Sequence, residues 1–357
     1  MRVYNFSAGP STLPLEVLKQ AQEEFLDFCG TGMSVTEISH RTKEYEAVVK
    51  EAESLVRELL SVPEDYAVIF VQGGASQQFA AIPLNMMHNG VADYIVTGNF
   101  AKKAWEEGCI YGRANKIGDS SDKTYTYIPD VDKLNYTDGA DYVHITSNNT
   151  IFGTRYAKLP KCAAPLVADM SSEIFSREIN VSDFGVIYAG AQKNLAPAGV
   201  TIVIAKRSLI QNPLKICPTM LKWKVQDENG SLYNTPPAFS IYMANLVLRD
   251  LKKKGGVKAM NEVNVYKAGL LYDFIDNSKL YKNNVEKQFR SIMNVPFVTG
   301  SEELDAKFVS EAKKAGFVSL KGHRLVGGMR ASIYNAMPVE GVKALIGFMK
   351  KFETENK

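Results

Sequence analysis

Six short apolar runs recur over residues 67–206: AVIFV (67–71), DYIVTG (93–98), YVHIT (142–146), PLVADM (165–170), VIYAG (186–190) and TIVIAK (201–206). Each is rich in β-branched or aromatic residues and too short for an ordinary helix. A sheet face open to water makes apolar and polar residues alternate. Runs without alternation belong to strands buried on both faces, as in a parallel sheet covered by helices. Helical stretches lie between several of the runs, so the pattern predicts an α/β fold with a mostly parallel sheet. The first run leads through Gly73-Gly74 into the helical pattern SQQFAAIPLNMM, which reads as strand, tight turn, helix. Upstream, residues 15–28 carry Leu15, Leu18, Phe25 and Leu26 at helical spacing after Pro14, and 43–60 predict a second amphipathic helix.

Beyond residue 240 the texture changes. Two long helical stretches (240–254 and 257–276) precede KQFRSIMNVPFV (287–298), which alternates like a half-exposed strand. A helix over 301–315, the turn-rich GHRLVGGMRASIYN (322–335) and a last helix over 339–352 follow. This predicts a large domain over 1–250 and a smaller α/β domain over 251–357. The N-terminal segment, 1–15, is expected to pack with the smaller one.

Composition narrows the function. The 357 residues are 45% hydrophobic and 23% charged, enough for a sizeable core without disulfide or metal staples. A net charge of +3 gives no general affinity for nucleic acid or an anionic membrane, and the lysine runs KKAW and LKKKGG read as solvated faces. No apolar run reaches membrane-spanning length, and the opening MRVYNFSAGP lacks a signal-peptide core. Cys29, Cys109, Cys162 and Cys217 form no zinc or redox motif, so a reducing, cytoplasmic setting is expected. His40, His88, His144 and His323 show no metal-ligand spacing, and no metal is expected.

Ligands of parallel α/β sheets gather at the carboxyl ends of the strands. Four polar sites fall there: Ala75-Ser76, Thr150, Asp169 and Gln192-Lys193. Lys193 follows VIYAGAQ, just past a buried strand, where a lysine is costly to desolvate without a partner or a task. An amine so placed can condense with an aldehyde. Asp169 ends the run LVAD. It can cap a turn, bind a cation or hold a proton on a ring nitrogen. Gly73 to Ser76 form a small-residue turn whose N–H groups suit a phosphate.

These residues carry a resemblance over nearly the whole chain. NFSAGPSTLP, SVTEISHR, GGASQQF, VADMSSEIFSR, GVIYAGAQKNLAPAG, NTPPAF and GHRLVGGMRASIYN stand in the order found in the class V, fold type I aminotransferases, and most resemble the phosphoserine aminotransferase family. The resemblance implies a sheet of the seven-stranded type and pyridoxal 5′-phosphate as cofactor. Lys193 is implied as the Schiff-base lysine and proton shuttle, and Asp169 as the partner of the pyridine nitrogen. Ala75, Ser76 and Gln192 are implied at the cofactor phosphate, and Thr150 near its hydroxyl. Phe100 stands where the family has a ring-stacking tryptophan, and Ala8 where some members have serine. Asn234 and Thr235 are implied to reach the cofactor of a neighbouring subunit, which makes a homodimer with shared active sites. Arg330 is implied for the substrate α-carboxylate, and His40, Arg41, His323 and Arg324 for its phosphate. The implied reaction moves an amino group from L-glutamate to 3-phosphooxypyruvate, giving O-phospho-L-serine and 2-oxoglutarate in serine biosynthesis. Use of 4-phosphohydroxy-L-threonine, on the route to pyridoxine, is left open. Alanine–glyoxylate transamination would not need His323 and Arg324, a cysteine desulfurase would need a loop cysteine, and a non-catalytic relative would have lost Lys193, Asp169 or Arg330.

Overall fold

A computed structural model describes residues 2–356. At its centre is a seven-stranded sheet in the spatial order Tyr66–Val71, Thr201–Lys206, Val186–Gly190, Leu166–Asp169, Val143–Thr146, Val91–Val96 and Arg113–Asp119. Thr201–Lys206 runs antiparallel to both of its neighbours, and the other pairings are parallel. Six strands match the six apolar runs. The seventh, RANKIGD, lies at the sheet edge and is only partly covered, which explains why no apolar run marks it.

Both faces are buried, as unbroken apolar strands require. Val68 and Phe70 face a core shared with helices Lys43–Leu60 and Ala238–Lys253. Ala67 and Ile69 face the opposite core, under helices Gly74–Met86 and Asn99–Tyr111. Helix Lys43–Leu60 shows how local sequence sets this up. Tyr45, Val48, Val49, Ala52, Leu55 and Val56 recur on one buried stripe, and the Thr42 hydroxyl caps the start by accepting from Tyr45 N–H at 3.3 Å.

Another core gathers Phe6 with residues between Ala268 and Phe352. It surrounds an antiparallel ribbon, Asn294–Phe297 against Met329–Ser332, and an aromatic cluster of Tyr281, Phe297, Phe308 and Phe352. Tyr4–Asn5 pairs in parallel with Phe317–Val318. Within this core Lys267, wholly buried on helix Gly256–Asn277, donates to the carbonyls of Ile333, Tyr334 and Met337 at 3.0, 2.8 and 3.0 Å.

Two expectations fail locally. The first helix is Leu15–Glu24 and does not reach residue 28. Cys29, Gly30 and Gly32 adopt positive φ, and the turn drives Phe28 edge-on against Tyr242 instead of continuing the helix. The run 287–298 is not one half-exposed strand. Lys287–Phe289 is a 3-10 turn, and only Asn294–Phe297 is strand, buried throughout because both of its faces meet the core. Among the described residues no helix is long and apolar enough to cross a membrane, and no cluster of three metal-ligating side chains occurs.

Candidate active site

The strands ending at Val71, Thr146, Asp169 and Gly190 point the same way, so their carboxyl ends share one edge of the sheet. Asp169 closes its strand and is buried. Lys193 stands in the loop between Gly190 and Thr201, residues paired directly across the ladder. The loop is fastened from several sides. Ser11 N–H donates to Gln192 O at 2.9 Å, and the Ser11 hydroxyl donates to Lys193 O. Asn194 donates to Ile174 O at 2.7 Å and accepts from Asn335 N–H at 2.9 Å.

Lys193 Nζ donates to Thr150 Oγ1 at 2.6 Å and lies 5.1 Å from the centre of the Phe100 ring. Burial pulls its pKa down to about 8; the Asp169 charge opposes this and the Arg330 charge adds to it. Burial raises the pKa of Asp169, against the opposing pull of Lys193 and of two bonds from Ser171. Those bonds come from Ser171 N–H at 2.9 Å and the Ser171 hydroxyl at 2.5 Å, and both end on Oδ1.

Thr150 has a second task. Its carbonyl accepts from Arg330 Nη1 at 3.2 Å, and Arg330 Nε is buried with no partner among the described residues. His323 is close enough to Arg330 for that charge to add to burial in lowering its pKa, with Arg324 and Lys103 contributing less. A short, exposed loop carries His323 and Arg324. A Cβ at Gly322 would stand 2.0 Å from Gly327 O, so the loop closes tightly only with glycine there.

Gly73 and Gly74, both at positive φ, feed the start of helix Gly74–Met86, where Ala75 and Ser76 occupy the first turn. Their N–H groups precede the helical ladder and point toward the positive end of the helix dipole. A Cβ at Gly190 would stand 2.8 Å from Gln192 Oε1, which places the Gln192 side chain over the end of the strand.

Other expected residues are not joined to this group. His40 and Arg41 lie in the turn before helix Lys43–Leu60, and no hydrogen bond links them to Lys193, Asp169 or Arg330 among the described residues. Asn234 and Thr235 are exposed, and the Thr235 carbonyl accepts from Gln72 at 3.0 Å beside the glycine turn. Trp105 turns away from Lys193. Its indole donates to Ala114 O at 3.0 Å and its face carries Lys116 at 5.0 Å. Sequence reasoning assigned no task to Ser171 or Asn194. The one available signal for Ser171 was a small hydroxyl residue two places after an aspartate at a strand end.

The residues brought together suit an aldehyde with an aromatic ring, a basic ring nitrogen and a phosphate. There is an amine to condense with, and a buried carboxylate whose Oδ2 accepts no hydrogen bond among the described residues. There is an aromatic face at Phe100 and a helix start for the anion.

The chain resembles known proteins along nearly its whole length. The model of the family described as aminotransferase class-V matches residues 3–345. A phosphoserine aminotransferase of Bacillus cereus is 54% identical over 358 residues, covering 100% of this chain and 99% of the relative. The solved phosphoserine aminotransferase from Bacillus circulans subsp. alkalophilus superposes with a TM-score of 0.98 at 46% identity, covering 100% of this chain and 99% of that one. A pyridoxal-phosphate-bound phosphoserine aminotransferase from Trichomonas vaginalis gives a TM-score of 0.94 at 39% identity, over 98% of this chain and 100% of that one. The chain belongs to the class V aminotransferases of fold type I, transaminases that work with pyridoxal phosphate.

Proposed function

We propose that the protein transfers the amino group of L-glutamate to 3-phosphooxypyruvate, forming O-phospho-L-serine and 2-oxoglutarate. The observation that carries this reading is the double attachment of Thr150. One residue holds the Lys193 amine at 2.6 Å and the Arg330 guanidinium at 3.2 Å. A base and a carboxylate fork are thereby set at a fixed separation, as an α-amino acid demands. The full-length similarity to phosphoserine aminotransferases supports the choice of substrate.

When bound, pyridoxal phosphate supplies a carbonyl that condenses with amines and a ring that withdraws electrons from Cα. Asp169 Oδ2 would hold a proton on the ring nitrogen, Phe100 would cover the ring, and Thr150 would contact its hydroxyl. The N–H groups of Ala75 and Ser76, with the Gln192 side chain, would hold the phosphate. Lys193 Nζ takes the proton from the substrate Cα, and its lowered pKa of about 8 leaves a useful fraction unprotonated near neutrality. Arg330 binds the α-carboxylate through the edge that carries its unpartnered Nε. His323 and Arg324, beside it, take the substrate phosphate in one half-reaction and the glutamate side-chain carboxylate in the other.

His40, Arg41, Asn234 and Thr235 complete the site in a homodimer. Exposed Ile216, Met220 and Tyr233, on the stretch leading to Asn234, support an interface there. In the same reading residues 1–250 form the cofactor domain and 251–357 the smaller domain, and the enzyme works in the cytoplasm.

Absorbance of the cofactor-loaded protein tests the reaction. Glutamate and O-phospho-L-serine should each bleach the visible cofactor band, and 3-phosphooxypyruvate should restore it. Bleaching by alanine, with no response to O-phospho-L-serine, would replace this reading with alanine–glyoxylate transamination. A response to 4-phosphohydroxy-L-threonine would add the pyridoxine route.

A further inference from the structure

Asp169 is held by one neighbour. Every hydrogen bond that its carboxylate accepts from the described residues comes from Ser171, and both end on Oδ1. The Ser171 hydroxyl is itself fixed, because it accepts from Gly190 N–H at 3.0 Å. Gly190 ends the strand that leads into the Lys193 loop. The hydroxyl therefore has one possible direction for its proton, toward Asp169. Ser171 is buried, so its hydroxyl bonds within the protein and not to bulk water.

We propose that Ser171 is a positioning residue for the cofactor: it orients the Asp169 carboxylate, keeps it ionised, and reserves Oδ2 for the ring nitrogen. The proposal rests on pyridoxal phosphate occupying this site, and not on which amino acid is the substrate. Ser171 touches no reacting atom. It acts by binding one oxygen twice, so that the other carries the free lone pairs and the charge. It also ties the strand of Asp169 to the strand leading to Lys193, which holds acid and amine in one register.

The neighbouring Ser172 provides an internal control. It is equally buried, but its hydroxyl donates to Asn148 O at 3.0 Å and accepts from the Asn148 amide at 2.7 Å, with no bond to Asp169. Serine to alanine at either position removes the same atom from the same segment.

The test uses Ser171→Ala, Ser171→Thr and Ser172→Ala, each prepared without cofactor and titrated with pyridoxal phosphate. Two quantities are read: the dissociation constant, and the pH midpoint of the bound cofactor's visible band. Loss of one charge-assisted hydrogen bond should weaken cofactor binding in Ser171→Ala by about tenfold or more. With the ring nitrogen less firmly protonated, less charge opposes a proton on the Lys193 nitrogen. The midpoint should therefore move up, by about one unit. Ser171→Thr keeps the hydroxyl and should recover most of both effects, while Ser172→Ala should leave the midpoint in place. Melting temperatures identify any general loss of structure. An unchanged affinity and midpoint in Ser171→Ala would overturn the proposal, and so would equal changes in Ser172→Ala. Neither readout depends on the amino donor, so an error in the substrate would leave this result intact.

Discussion

Two lysines drawn away from water, the half-buried Lys193 in the loop at the sheet edge and the wholly buried Lys267 in the core around the Asn294–Phe297 ribbon, start from the same chemistry and end differently. Burial depresses both, Lys193 to about 8 and Lys267 to about 7. Lys267 meets three carbonyls at 2.8 to 3.0 Å. Three acceptors match the three N–H groups of the ammonium, so the carbonyl cage works against the burial that lowers its pKa. Lys193 has a single hydroxyl partner, with the Asp169 charge favouring its proton and the weaker Arg330 influence opposing it. Its nitrogen is left free to lose a proton and attack. The difference lies in the polar partners: one hydroxyl for Lys193, three carbonyls for Lys267.

The comparison predicts opposite mutant behaviour. Lys193→Ala should lower turnover by about a thousandfold or more while leaving the urea midpoint nearly unchanged. Substantial remaining turnover would remove Lys193 from the chemistry. Lys267→Ala should do the reverse. Three buried carbonyls lose their donor, so unfolding in urea should show a loss of about 3 kcal/mol, with kcat of the folded fraction close to wild type. Equal loss of kcat would mean that the cage also sets the active-site geometry.

Titration sharpens the contrast. A depressed pKa means that the folded protein gives up the Lys193 proton at a pH where an ordinary lysine, near 10.4, still keeps it. The rate at which cofactor-free protein condenses with a simple aldehyde should rise through pH of about 8 and then level off. The smallest effect belongs to Arg330→Gln. Removing the repelling charge should move that midpoint upward by less than about one unit, and KM for glutamate should rise at the same time. A downward move would contradict the sign of the Arg330 influence.

Much of this arrangement was readable from the chain. Unbroken runs such as VIYAG and TIVIAK can be buried on two faces only in a covered sheet, and strand ends located Asp169 and Lys193. Arg113–Asp119 escaped because an edge strand needs no apolar run, and its register is supplied by Val91–Val96. Helix Leu15–Glu24 ended early because Phe28 found a partner at Tyr242, far along the chain. The polar contacts were less legible still. Asn294 accepts from Asn148 at 2.9 Å and donates to Ser332 and Tyr334 at 3.0 and 3.1 Å, pairings that no local pattern encodes. Asn194 and Ser171 belong to the same class, since their roles exist only after distant strands have met.

The direct pairing of Gly190 with Thr201 closes the Lys193 loop on the sheet itself. Asp169 lies one strand away, so amine and acid share a single frame, whereas Arg330 rides on the ribbon of the other core. In the proposed reading the cofactor contacts and the α-carboxylate arginine thus lie on separate stretches of sequence, with His40 and Arg41 on the earlier one. A chimera that kept the sheet and exchanged the later segment for that of a relative should retain its cofactor and change its affinity for the α-carboxylate. Divergence can explore new substrates along that seam without first losing the power to move an amino group.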